Sequence, residues 1–188
     1  LVNEADALRG LAAALARLDY AAEKLDIKLL LEERDHTTIA EARRLNRSGR
    51  YDLVIVPPSA PQTKPKACNF ALTACRGDYV TIYDAEDRPE PLQLRRVAAA
   101  FAQSDPHVAC IQAALKFYNA DENVITRWFA VDYEVWFTQF LPGLAATDTP
   151  IPLGGTSNHI RRDLLIQIGA WDPFNVTEDA DLGIRLAR

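Results

Sequence analysis

The stretch Asp78-Tyr79-Val80-Thr81-Ile82-Tyr83-Asp84-Ala85-Glu86-Asp87 carries the strongest indication of the fold. Its first six residues are rich in β-branched and aromatic side chains, a pattern typical of a buried strand. Three carboxylates follow within four residues, where they repel one another unless a cation lies among them. Hard divalent cations prefer such oxygen ligands. Asp84, Glu86 and Asp87 are therefore predicted to hold Mg²⁺ or Mn²⁺, and a solvated acidic turn is the alternative.

Apolar runs and helical patterns alternate on both sides of this stretch. Extended segments are predicted at 26–31, 51–56, 78–83, 108–118 and 157–160, and helices at 4–18, 36–46, 66–75, 91–103, 124–140, 162–168 and from 177 onward. This order is typical of an α/β fold with a mostly parallel central sheet and helices on both faces. In such sheets ligands bind at the carboxyl ends of the strands. Both acidic clusters, 32–33 and 84–87, follow a predicted strand.

The composition is that of an ordinary globular domain, with 188 residues, a net charge of −5 and a pI of about 5.2. The acidic balance disfavours a general nucleic-acid binder, so no nucleic-acid partner is predicted. No run of about 18 apolar residues indicates a membrane span. We predict one domain over residues 1–188. Because the chain contains no Met, begins at Leu1 and ends within a helical pattern, it is predicted to be a piece of a longer protein, truncated at both ends.

Two other segments have the chemistry of a phosphate or sugar site. Lys64 and Lys66 precede or open a predicted helix, where lysines meet phosphate oxygens; solvated lysines are the alternative. Gly154-Gly155-Thr156 is a loop of small residues that permits close approach of a ligand to the backbone; a simple turn is the alternative. The glycine-rich motifs of nicotinamide enzymes and P-loop NTPases do not occur.

Thr177-Glu178-Asp179 begins the last predicted helix. A carboxylate held near an acceptor hydroxyl serves as a general base. The alternative is a Thr cap with acids in the first turn, which the helix dipole favours.

The aromatic face of helix 124–140 is predicted to pack on the core or on another part of the protein. A membrane-facing role is the alternative, although no Lys or Arg occurs from 128 to 160.

The order of these motifs along the whole chain resembles the processive-type family-2 glycosyltransferases of the GT-A fold, the cellulose-synthase-like group. Asp84-Ala85-Glu86 resembles the family's D-x-D metal motif, and Thr177-Glu178-Asp179 resembles its T-E-D motif, whose Asp is the catalytic base. Lys66-Ala67-Cys68-Asn69 resembles the segment that contacts the nucleotide diphosphate. Gly154-Gly155-Thr156 resembles the loop near the donor sugar and the acceptor.

The resemblance extends to both ends of the chain. Asn3 and Glu4 resemble the tail of the family's opening loop, whose strand would lie before Leu1. Glu32 and Glu33 stand where the family usually carries an Asp-Asp pair that reads the uracil and ribose. The Q-x-x-R-W motif, which helps to hold the acceptor and the diphosphate, does not occur within these 188 residues.

The resemblance implies a metal-dependent, inverting transfer of a sugar from a UDP-sugar to a saccharide or lipid acceptor. It also implies a membrane protein whose spans lie outside this fragment, with the domain on the cytoplasmic face of the inner or plasma membrane. The alternatives are a non-catalytic nucleotide-sugar-binding regulatory module and a nucleotidyltransferase. The latter requires a Gly- and Arg-rich phosphate loop after the first strand, and Arg9-Gly10 falls inside a helical pattern instead.

Overall fold

The computed structural model describes residues 4–187; Asn3, a predicted nucleotide contact, lies outside them. The helices and strands occur in the order α1 Ala5–Ala16, β1 Lys28–Glu32, α2 His36–Leu45, β2 Asp52–Val56, α3 Lys64–Leu72, β3 Tyr79–Thr81, α4 Gln93–Gln103, β4 Cys110–Gln112, α5 Val124–Val135, α6 Leu141–Ala146, β5 Asn158–Arg161, α7 Arg162–Gln167 and α8 Glu178–Leu186. A 3₁₀ turn covers Ala22–Lys24, and a π-helical turn, Trp136–Phe140, joins α5 to α6.

The strands form two hydrogen-bonded groups. β1 and β2 are parallel, with Lys28 opposite Asp52 and Glu32 opposite Val56. β5 lies between β3 and β4 and runs antiparallel to both. The predicted α/β class with a parallel sheet is confirmed, and the antiparallel pairs are a feature that the periodicity did not predict.

The direction of β5 decides what lies beside the acidic turn. Because β5 is antiparallel to β3, its first residues lie at the carboxyl end of β3, with His159 opposite Thr81. The backbone N–H of Ser157 donates to the carbonyl of Ile82 at 2.9 Å. The loop 154–156 is therefore held next to residues 84–87.

Two core clusters stabilise the elements that carry this edge, since burial of apolar side chains is the main favourable term in folding. The first joins α1 and α2 to β1 and includes Leu8, Leu11, Leu15, Leu29, Leu31, Ile39 and Ala42. The second joins α3, β5, α7 and α8 and includes Cys68, Leu72, Leu153, Ile160, Leu165, Trp171 and Leu182.

The predicted helix 124–140 is found as α5 followed by the π-helical turn. Asn123 and Thr126 form a capping box at its start. α5 buries none of its residues, and on the predicted aromatic face Phe129, Trp136 and Phe140 are 55%, 39% and 47% exposed. Phe129 and Tyr133 contact the ring of Phe117 instead. Packing of this face on the core is therefore wrong within the described part of the chain, and packing on another part of the protein stays a prediction. No helix between residues 4 and 187 is both long and apolar enough to cross a membrane.

Candidate active site

The acidic turn at the carboxyl end of β3 is tied to both neighbouring segments. The Lys64 ammonium forms an ion pair with the Asp84 carboxylate and donates to the carbonyl of Gly155 at 2.7 Å. Oδ2 of Asp87 accepts hydrogen bonds from the backbone N–H of Asp84 at 2.6 Å and from the Thr156 hydroxyl. Burial raises the pKa of the Asp87 carboxyl. The turn and the loop 154–156 thus form one connected structure.

Two side chains that the sequence analysis missed hold the same loop from the β4 and β5 side. Gln112 accepts from the N–H of Gly154 at 2.9 Å and donates to the carbonyl of Thr156 at 3.0 Å. The Asn158 amide donates to the carbonyl of Gly154 at 2.9 Å. Neither residue stands in a recognisable motif. The one available indication was that Gln112 is a polar side chain inside the mostly apolar extended segment 108–118.

Asp179 lies in the first turn of α8, directly against the loop. A Cβ atom on Gly155 would lie 3.2 Å from Asp179 Oδ2, so the missing side chain is what allows this approach. Asp179 Oδ1 accepts from the N–H of Ala180 at 2.8 Å. Thr177 does not cap α8 with its side chain; its hydroxyl and N–H both donate to Oδ1 of Asn175 instead. The capping reading of Thr177 is therefore wrong.

α3 brings the cation and the acids to one place. Cys68 is buried within α3, and burial raises the pKa of its thiol to about 12. Lys64, at the start of α3, pairs with Asp84 and donates to the carbonyl of Gly155, which lies against Asp179. The T-E-D segment and the acidic turn therefore meet at the start of this helix, although they are far apart in the sequence.

A cavity of about 970 Å³ opens at the carboxyl ends of β1, β2 and β3. Five of the predicted site residues line it, namely Glu4, Glu32, Lys64, Asp84 and Glu86. Oε2 of Glu32 is buried and without a hydrogen-bond partner among the described residues. A second cavity of about 880 Å³ lies between the two strand groups and contains none of the predicted site residues. The first cavity is therefore the candidate ligand site.

Lys66, Asn69 and Glu33 are not among the residues that line this cavity. Lys66 donates to the carbonyl of Pro57 at 3.0 Å, and its Nζ lies 3.7 Å from Oε1 of Glu32. The Asn69 amide exchanges two hydrogen bonds with the backbone of Trp171, at 2.7 and 3.2 Å, and so fixes the segment that precedes α8. Glu33 is exposed beyond the end of β1.

The fit of a divalent cation rests on Asp84 and Glu86. Within residues 4–187 there is no group of three or more His, Cys, Asp or Glu side chains placed to hold a metal. Mg²⁺ and similar ions commonly take only one or two protein carboxylates and complete their shell with phosphate oxygens and water. Asp84 lines the cavity and pairs with the Lys64 ammonium, so this position already accommodates a positive charge. These residues fit such an ion.

Known proteins match this chain along almost its whole length. The family described as glycosyltransferase like family 2 matches residues 3–188. A probable glycosyltransferase, YdaM of Bacillus subtilis (strain 168), is 24% identical over 98% of this chain and 44% of its own length. Glucomannan 4-beta-mannosyltransferase 2 of Arabidopsis thaliana is 32% identical over 57% of this chain and 20% of its own length. The chain thus spans less than half of these relatives.

Solved structures show the same fold. The mannosyltransferase PcManGT from Pyrobaculum calidifontis, in complex with GDP-Man and Mn²⁺, superposes with a TM-score of 0.71 at 21% identity, over 97% of this chain and 48% of that one. S. aureus TarS 1–349, in complex with UDP-GlcNAc, superposes with a TM-score of 0.69 at 15% identity, over 99% of this chain and 51% of that one. The expected GT-A architecture is confirmed.

Proposed function

The chain belongs to glycosyltransferase like family 2, and we propose that it carries the catalytic site of an inverting glycosyltransferase. The donor is a nucleotide-diphospho-sugar, and the acceptor is a saccharide or a lipid. One observation carries the proposal: contacts run from Asp84 through Lys64 to Gly155, and Gly155 lies against Asp179. A candidate cation-binding carboxylate and a candidate base therefore lie on either side of one small-residue loop. Asp84 and Lys64 line the cavity, whereas the loop and Asp179 are not among its lining residues.

The donor nucleotide lies in the cavity of about 970 Å³. Glu32 contacts the base or the ribose through its buried, unpartnered Oε2, with exposed Glu33 and nearby Glu4 contributing. Lys64 faces the diphosphate, and Lys66 supports Glu32. We propose a UDP-sugar. The structural neighbours were solved with donors of different bases, GDP-Man and UDP-GlcNAc, so GDP is the comparison to test.

The leaving group is stabilised at the acidic turn. Asp84 and Glu86 would hold Mg²⁺ or Mn²⁺, which when bound offsets the negative charge that develops on the departing diphosphate. PcManGT was solved with Mn²⁺. The Lys64 ammonium supplies further positive charge from α3.

Asp179 removes the proton from the acceptor hydroxyl, whose oxygen attacks the anomeric carbon as the bond to the diphosphate oxygen breaks. A single displacement from the opposite face inverts that carbon, so an α-linked donor gives a β-glycoside. Glu178 lies beside Asp179 and adds negative charge that favours a positive, oxocarbenium-like transition state. Gly155 leaves room for the reacting groups beside Asp179.

We further propose that the protein acts at the cytoplasmic face of a membrane, held there by segments outside residues 1–188. The exposed apolar side chains of α5 are consistent with a position close to other parts of such a protein. Fractionation of cells that produce the whole protein, with and without alkaline extraction, tests this placement.

Calorimetric titration with UDP and with GDP, each with and without Mn²⁺, tests the donor site. We expect Mn²⁺-dependent binding of UDP that is lost in Asp84→Asn. Asp179→Asn is expected to bind UDP as the unaltered protein does but to lose sugar transfer. Asp163→Asn is the matched control, because Asp163 also stands second in its helix and accepts from the next N–H, at 2.9 Å. Equal transfer by Asp179→Asn and the control would refute the base assignment.

The non-catalytic alternative is a module that binds a nucleotide-sugar and regulates a partner. It predicts UDP binding that depends on Asp84 and an Asp179→Asn variant with no functional effect. Sugar transfer by the whole protein eliminates this alternative.

A further inference from the structure

One oxygen of the Asp87 carboxylate is held by hydrogen bonds within the acidic turn and to the neighbouring loop. Its Oδ2 accepts from the N–H of Asp84 at 2.6 Å and from the Thr156 hydroxyl. The N–H of Asp87 in turn donates to the carbonyl of Asp84 at 3.1 Å, which closes the turn in both directions. Oδ2 is therefore engaged within the protein. Within residues 4–187 no three His, Cys, Asp or Glu side chains are placed to hold one metal ion, so Asp87 does not complete a three-carboxylate site with Asp84 and Glu86.

Thr156 is the residue through which the turn meets the loop. It is 9% exposed, and its carbonyl is held by Gln112 at 3.0 Å. Gly155, one residue earlier, lies against Asp179 and accepts from Lys64. A change in the position of Thr156 is therefore passed to the segment that contacts the proposed base.

We propose that Asp87 is a positioning residue and not a metal ligand. Its hydrogen bond to Thr156 fixes the distance between the cation-binding pair, Asp84 and Glu86, and the loop that contacts Asp179. The inference rests on the proposed function, since it assigns a part to Asp87 in that same site. It replaces the expectation from the sequence that Asp87 joins the metal ligands.

The test separates positioning from ligation by two readouts, transfer rate and Mn²⁺ requirement. In the whole protein, Asp87→Ala and Thr156→Val should each lower kcat by roughly 10- to 100-fold, because a lost hydrogen bond to a charged group moves reacting groups out of line. The Mn²⁺ concentration for half-maximal UDP binding should stay within about threefold of the unaltered protein, whereas Asp84→Asn raises it by roughly tenfold or more. Thr156→Ser restores the hydroxyl and should recover most of kcat.

A double-mutant cycle makes the coupling explicit. The variant with both Asp87→Ala and Thr156→Val should be no slower than the worse single variant, since each change breaks the same contact. Thermal melting of every variant identifies loss of folding, and Thr156→Ser remains informative if Thr156→Val unfolds.

Two results would overturn the inference. A Mn²⁺ requirement in Asp87→Ala that rises as it does in Asp84→Asn would make Asp87 a ligand. Fully additive losses in the double variant would show that the two residues act separately. Failure of the proposed function is distinct from both, because the unaltered protein would then bind no nucleotide with or without Mn²⁺, and the inference would fall with it.

Discussion

Gly183 offers the sharpest test of how α8 is placed. A Cβ atom at this position would lie 2.0 Å from the backbone oxygen of Ile151 and 2.9 Å from the backbone nitrogen of Leu153. Ordinary van der Waals contact begins near 3.4 Å. Because the nearest atoms belong to backbone, Gly183→Ala forces α8 and the segment 151–153 apart by about an ångström.

The expected effect of Gly183→Ala on stability is opposite in sign to that of most Gly→Ala substitutions within helices. Within a helix, Gly→Ala normally stabilises by about 1 kcal/mol. Overpacking of a buried site costs more than this gain, so Gly183→Ala should lower the free energy of unfolding by about 2–4 kcal/mol. For a domain of this size the melting temperature should fall by roughly 4–16 °C. Urea and thermal denaturation measure both quantities.

Gly10→Ala is the matched control, because Gly10 lies within α1 and a Cβ there meets nothing within 4 Å. That variant should be more stable than the unaltered protein by up to about 1 kcal/mol. Since α8 carries Asp179, Gly183→Ala should also reduce kcat at temperatures where it is folded. A Gly183→Ala protein that melts at or above the unaltered one would show that α8 does not pack on 151–153 as described.

Two further predictions concern charge. Lys64→Met removes the ammonium that pairs with Asp84, so Mn²⁺ alone should bind roughly two- to fivefold more tightly while UDP binds more weakly. Mn²⁺ titration followed by electron paramagnetic resonance measures the change in Mn²⁺ affinity. Lys66→Met leaves the pair intact and should not tighten Mn²⁺ binding. Burial lowers the pKa of His159 to about 4, so the folded state favours the neutral ring. The free energy of unfolding is therefore unaffected by this group above about pH 6.5, and it decreases as the pH falls towards 4, because the unfolded chain binds the proton first. This loss is on the order of 3 kcal/mol, and urea denaturation at pH 7, 5.5 and 4 should show it as a difference between the unaltered protein and His159→Gln; parallel pH profiles would contradict it.

Local patterns were sufficient for most of the helices, although α6 was not predicted. Apolar spacing predicted α1 over 4–18, found as Ala5–Ala16. Of the three carboxylates after β3, Asp84 and Glu86 line the cavity and Asp87 does not, and their role towards a cation stays a prediction. The antiparallel entry of β5 could not be read from periodicity, because strand direction depends on where the chain returns after α6. Gln112 and Asn158 escaped notice for the same reason, since their partners are set by that pairing.

Asn69 shows a different limit. The sequence places it beside Lys66 in a recognisable segment, yet its amide is engaged with the backbone of Trp171. A motif identifies the residue type at a position and not its partner. The partner of Asn69 lies more than a hundred residues away in the chain. The role of Asn69 towards a nucleotide stays a prediction.

The exposed face of α5 determines which part of the molecule opens first. α5 buries none of its residues; its own hydrogen bonds, its capping box and partly exposed contacts with Lys116 and Phe117 stabilise it. Its amides should therefore exchange with solvent at a low local free energy. Phe137, in the π-helical turn that follows, lies 3.3 Å from where a Cβ of Gly154 would stand. Motion of α5 and the π-helical turn is therefore transmitted to the loop beside Asp179. A partner that covers the exposed face of α5 should restrain that loop at the same time, so binding at α5 and the ordering of the loop become linked.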